Sequence, residues 1–406
     1  MESSIKKGGI PRAILAIAMT GLLMAAACAG TPAQPVEQKV VEIADIAPLT
    51  GPSASAEQLV LQGMQDYVTY FNDEIGIPDV TVKLLWADVG FDVPKFISAY
   101  RRFSDRGLPI LFSDVTAPLE ALKPVFEEDE MPFIAATTTS TLIHPPGWIY
   151  CTMPTFGEVA TAVLDYFMEN WTEERPARVA FIGPDSSFGR APSEECVEYA
   201  NSIGMEVLPW EFAGYVVIDA TPQLLRMKDQ GVDLVYIQDI VSAAGPILRD
   251  AERLGLSDEM QFGGIEFNLG NTLIEMAGPA SEGYLAPRTT PWFDETDIPG
   301  IKILVETQEK LHGKVKSDPE YMGGWLAGAI MCEAVNRGID AVGYENLDGP
   351  ALKNALDNMS NFDAGIAIVS YSPEQRRASR MVATYQIKNG KIVRVSDWHE
   401  SPMLVS

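Results

Sequence analysis

Arg178-Val179-Ala180-Phe181-Ile182-Gly183-Pro184-Asp185-Ser186-Ser187-Phe188-Gly189 is a short apolar run that ends in a Gly-Pro turn and passes to hydroxyl residues. A run of that length bounded by a turn suits a strand buried on both faces, and the serines suit the cap of a helix over 189–203. The pattern repeats outward in both directions. Upstream, 40–46 reads as a strand and 49–55 as a turn. Val60, Met64, Tyr67, Val68 and Phe71 then share one helical face, and 80–86 is a strand again. A helix carrying Phe96, Ile97, Tyr100 and Phe103 follows, then strands at 109–112 and 132–136 with a helix near 117–127 between them. Downstream, strands at 206–208, 234–237 and 261–264 alternate with helices near 220–230 and 242–254, after one near 157–170.

Strands alternating with helices predict mostly parallel sheets covered by helices. About 370 residues follow the leader, more than one hydrophobic core usually serves, so the expected fold is α/β with two doubly wound lobes. The C-terminal end differs. Segments 366–371, 381–387 and 392–395 are strand-like without helices between them, and Asn389-Gly390 marks a hairpin.

The first 27 residues read as a signal peptide: Lys6, Lys7 and Arg12 precede an apolar stretch over 13–27 that is short for a membrane span. It ends in Met24-Ala25-Ala26-Ala27-Cys28, which resembles a bacterial lipobox, so Cys28 is the expected lipidation site. Cleavage at an ordinary Ala-x-Ala site, with Cys28 incidental, is the competing reading. Either way the chain is exported, to a periplasmic or extracellular membrane face. Residues 28–40 read as a tether rich in small residues and proline.

The chain carries a formal charge of −26; removing Glu2, Lys6, Lys7 and Arg12 with the leader takes it near −28. Such a surface repels nucleic acid and anionic headgroups. Cys151, Cys196 and Cys332 remain, an odd number without a CxxC pair; one disulfide is compatible with that count, and Cys196 and Cys332 fall in helical patterns. His144, His312 and His399 show no metal-ligand spacing, and no Walker A loop, GxSxG elbow, GxGxxG turn or HExxH helix is present. No cofactor, metal or catalytic group is therefore expected.

In open parallel sheets ligands sit beyond the carboxyl ends of the strands, at helix N-termini. That singles out the loops 49–55, 113–116, 137–141 and 183–189. Each also reads as an ordinary cap or turn, but five successive hydroxyl residues at 137–141 exceed the needs of one cap, so ligand contact is expected there.

Several stretches, taken in order, resemble the type I periplasmic solute-binding proteins of ABC importers, of the leucine/isoleucine/valine-binding kind. They are Leu49-Thr50-Gly51-Pro52 before a helix holding Gly63, Ala135-Ala136-Thr137-Thr138, the quoted 178–189 segment, 233–237 and 261–266. The resemblance implies two Rossmann-like lobes, with crossings near 150–152, 283–287 and 362–365. The N-terminal lobe would comprise 41–149 and 287–362, and the C-terminal lobe 150–286 and 363–406. It further implies a monomer without cofactor that closes on a small solute, such as an amino acid or related carboxylate, and docks on an ABC permease. By the same resemblance Thr116, Ala136 and Thr138 would hold the ligand carboxylate, Glu266 its ammonium, and Phe188 would touch it from the second lobe. Trp86 and Tyr321 would line the side-chain pocket. The sequence departs from relatives at Ala56, where an aromatic is common, and at Phe188 and Ile240, where tyrosines are common. A ligand-presenting sensor and a lipid-anchored hydrolase are the alternative functions.

Overall fold

The computed structural model describes residues 38–136 and 138–404; the expected leader, Cys28, the tether up to residue 37 and Thr137 lie outside them. Two sheets organise the chain. The first contains β1 (Lys39–Ala47), β2 (Val80–Asp88), β3 (Leu111–Ser113), β4 (Phe133–Ala135) and β5 (Ile149–Cys151), all parallel, in the order β2-β1-β3-β4-β5. The second begins with β6 (Ala177–Gly183), β7 (Met205–Val207), β9 (Leu234–Ile237), β10 (Gln261–Gly264) and β11 (Leu285–Arg288), in the order β7-β6-β9-β10-β11. That is the same winding twice. Strands such as Ile43 to Ala47 and Leu234 to Ile237 are buried along their length, as strands covered on both faces must be.

Beyond β11 the second sheet turns antiparallel through β14 (Met381–Lys388) and β15 (Lys391–Arg394). Asn389 and Gly390 take φ of 53° and 67°, the geometry of a tight hairpin turn, as their identities predict. Segment 366–371 departs from expectation: only Ile368–Val369 is strand, paired with Phe362–Asp363. The neighbouring residues instead follow the chain's return to the second sheet, where Tyr371 Oη and Ala378 N both donate to the Cys151 carbonyl. Tyr150 and Cys151, expected at a crossing, end the first sheet inside β5, and 285–287 lie inside β11 of the second. Cys151, Cys196 and Cys332 are buried, and among the described residues none of them forms a disulfide.

One long element was not legible as an amphipathic pattern. The helix Pro319–Val342, 24 residues, is buried nearly all round and packs against the helix Ala54–Tyr70 that follows β1. Glycines let the two backbones touch. A Cβ on Gly63 would lie 2.1 Å from the Tyr321 carbonyl oxygen, and one on Gly324 would lie 1.9 Å from that of Val60. This close crossing brings the start of the long helix, with Glu320, up to the carboxyl end of the first sheet.

Candidate functional site

In both sheets the strand order reverses beside the first strand of its set, between β1 and β3 and between β6 and β9. Such a reversal opens a crevice beyond the carboxyl ends of the strands. Loops from the two crevices line one cavity of ≈ 160 Å³. On the first-sheet side stand Ala56 and Glu57, Asp114 and Thr116 at the start of the helix Thr116–Glu128, and Ala136 after β4. Ser186 and Phe188 face them from the loop after β6, with Tyr215, Ile240 and Phe267 from neighbouring loops. Ser186 caps its helix by accepting from Gly189 N at 3.2 Å. Phe91, from the first-sheet side, stacks on Tyr215 with ring centroids 5.7 Å apart and so closes the mouth. It does this from a φ of 61°, a conformation a bulky side chain rarely adopts and one that clusters at ligand clamps.

The sequence profile of the periplasmic binding protein family matches residues 40–391. The chain belongs to that family. This periplasmic binding protein is 23% identical over 357 residues to Leu/Ile/Val-binding protein homolog 3 of Brucella melitensis biotype 1, covering 87% of this chain and 93% of the relative. Its fold superposes with a TM-score of 0.83 on a branched-chain amino acid ABC transporter protein from Thermus thermophilus with bound valine. That pair is 26% identical, with 90% and 98% of the two chains covered. A fatty acid ABC transporter substrate-binding protein from Thermomonospora curvata shares the fold at a TM-score of 0.80 and 19% identity, with 90% and 94% covered. The type I solute-binding fold of the Leu/Ile/Val-binding kind is thus the fold of this chain.

Thr116, Ala136 and Phe188, expected at the ligand, line the cavity of this periplasmic binding protein, as do the departure positions Ala56 and Ile240. Other expected residues lie elsewhere. Thr138 is buried behind the wall, its Oγ1 donating to the Met153 carbonyl at 3.4 Å and its carbonyl accepting from Phe156 N at 2.9 Å. The residues beside it serve half-buried acids instead of a ligand: the hydroxyls of Thr139 and Thr141 donate to Glu120, and the Ser140 backbone N–H donates to Glu195 at 3.0 Å. Trp86 is 52% exposed on edge strand β2, outside the lining. Tyr321 turns into the core, where its hydroxyl donates to Asp66 at 2.8 Å. Glu266 is buried next to the wall residue Phe267; one oxygen accepts from Thr289 Oγ1 at 3.4 Å, and the other has no partner among the described residues.

Sequence reasoning missed the aromatic lining residues Phe91, Phe156, Tyr215 and Phe267, and a set of acids. Glu57 and Glu320 line the cavity with Asp114, and Asp45 is fully buried beneath them. Burial raises the carboxyl pKa of Glu57, and Asp114, Asp45 and Glu320 raise it further. Burial, then Asp114, does the same to Asp45, while burial and then Asp318 push Glu320 up to about 8. Burial alone takes Asp239, beside Ile240, up to about 8. Asp114 fell within a loop already marked by its place after β3. Glu57 and Glu320 sit on helix patterns, and nothing in their local sequence separates them from surface acids. Among the described residues no cluster of His, Cys, Asp or Glu is arranged to hold a metal ion.

Proposed function

We propose that this protein is the solute-capture component of an ABC importer, binding a small, largely apolar molecule between its two lobes and delivering it unchanged to a membrane permease. The observation that carries the reading is the convergence of both crevices on one cavity, whose mouth is closed by Phe91 against Tyr215. Relatives bearing amino-acid and fatty-acid names share the fold, so the scaffold accepts carboxylates as a class; the acids at this cavity bear on that point below. We place the lobe division after Cys151, between β11 and the helix Pro299–His312, and across residues 370–380.

Only a closed cleft lets both sides touch the solute, so binding favours closure. A thermal-shift screen over small solutes should find a ligand that adds about 2.7 kcal/mol of stability at a hundred times its dissociation constant. At saturation, small-angle scattering should show a smaller radius of gyration at unchanged helix content. A scattering profile indifferent to a saturating ligand would argue for a rigid pocket and against importer delivery.

The lipobox-like junction at Cys28 supports a lipid tether holding the exported protein at the membrane surface. Cys28→Ser should move the protein from the membrane fraction to the soluble extracytoplasmic fraction. Retention at the wild-type level would rule the tether out.

A further inference from the structure

The cavity has two kinds of wall. One is aromatic: Phe156 meets Phe188 edge-on at 5.3 Å, Phe188 stacks near Tyr215 at 6.4 Å, and Tyr215 stacks on Phe91. The other is carboxylic, and among the described residues no lysine or arginine lines the space. Glu57 is only 8% exposed and faces the cavity; its carboxyl hydrogen-bonds that of Asp114, and no N–H or hydroxyl of the described residues reaches its Oε2. No such donor reaches Asp114 Oδ1 or either oxygen of Asp45. Arg288, whose charge acts on Glu320 and Glu266, stands outside the lining; its guanidinium donates to Thr290 Oγ1 at 2.6 Å and stacks on Trp292, while its Nη1 has no partner among the described residues. Carboxyls packed together out of water ionise only against burial and one another, and a carboxylate brought into the cluster would add one more group of the same sign. A cation satisfies both the unpaired oxygens and the aromatic faces.

We infer that the solute is a small organic cation, a primary ammonium on an apolar body and without a carboxylate, held by Glu57, Asp114 and Glu320 against the aromatic wall. This rests on the reading of the cleft as a solute site. At the helix N-terminus beginning at Thr116, where an anion would ordinarily be welcome, the cavity is lined by the protein's own Asp114 and Glu57. The volume of ≈ 160 Å³ suits a body near the size of one aromatic ring or a branched aliphatic chain.

The test compares molecules that differ only in charge, by calorimetric titration of the full chain in detergent at neutral pH. The cations are 2-phenylethylamine and 3-methylbutylamine, the zwitterions L-phenylalanine and L-leucine, and the anions 3-phenylpropanoate and 4-methylpentanoate. The amines should bind at least about tenfold tighter than their parent amino acids, and Glu57→Gln should weaken them at least about tenfold. Because burial and the neighbouring acids already disfavour ionisation of Glu57 in the free protein, the variant should melt no lower than wild type; if it fails to fold, Asp114→Asn serves in its place. Equal or tighter binding of a zwitterion or an anion overturns the inference, and so does amine affinity indifferent to the carboxyl variants. If all six fail but a sugar, amide or fatty acid from a broad screen binds, the inference falls and solute capture stands. If no solute binds at all, both fall.

Discussion

Replacing Arg377 with alanine lowers the free energy of unfolding by about 3–5 kcal/mol, read from urea denaturation. Arg377 and Glu158 are 2% and 0% exposed in their side chains and pair through two hydrogen bonds, of 2.6 and 2.7 Å. Arg377 lies on the returning segment that runs beside Cys151, while Glu158 lies in the first turn of the helix Phe156–Glu169. Glu158 also closes a capping box with Thr155 and accepts from Leu404 N at 3.1 Å, so one carboxylate ties the start of that helix to two distant segments. Alanine at 377 leaves this charge buried without its countercharge. The uncompensated charge is the main loss, so Glu158→Gln combined with Arg377→Met should recover most of it. A single-variant loss below about 1 kcal/mol would show that water reaches Glu158 and that the pair behaves as a surface bridge.

The ligand-free protein becomes less stable as pH rises from about 5 to about 9, by several kcal/mol. Burial lifts Glu320 from an ordinary 4.5 to about 8 and Asp239 from 3.8 to about 8. A carboxyl raised by folding favours the folded state while neutral. Its contribution is complete below the ordinary carboxylate range and is lost as pH climbs through about 8. Each tenfold change in proton affinity is about 1.4 kcal/mol, so either group alone is worth several. Glu320 faces Asp318, Arg288 and Glu266, and Asp239 accepts from Ile240 N and acts on Tyr215. General repulsion in so acidic a chain has the same sign, so the wild-type slope needs a control. The variant carrying both Glu320→Gln and Asp239→Asn should melt higher at alkaline pH and keep a much flatter profile. Identical slopes in wild type and variant would assign the effect to net charge.

How far the sequence reaches can be seen element by element. The apolar runs at 234–237 and 261–264 are strands with the expected bounds, and Asn389-Gly390 turns as a hairpin, because backbone preferences and the period of burial are local. The rule that ligands gather beyond strand ends reached Thr116 and Phe188, since it needs only the order of strands, turns and helices, while Ala136 came from the family resemblance. Periodicity shows that a face is covered but not what covers it. Tyr321 reads equally well as pocket wall or core until Asp66, far away along the chain, is found against its hydroxyl. The hydroxyls at 138–141 look like ligand donors until Glu120 is found accepting from Thr139 and Thr141 and the Met153 carbonyl from Thr138. The helix Pro319–Val342 shows no stripe because it is buried all round, and its glycines acquire meaning only against Val60 and Tyr67 of another helix. The charge of the cavity was the least legible feature. Glu57, Asp114 and Glu320 are single acids on three separate elements, ordinary where each stands. Only the crossing of two helices over a parallel sheet brings them together out of water, and that desolvation turns surface-like residues into a site that demands a positive charge.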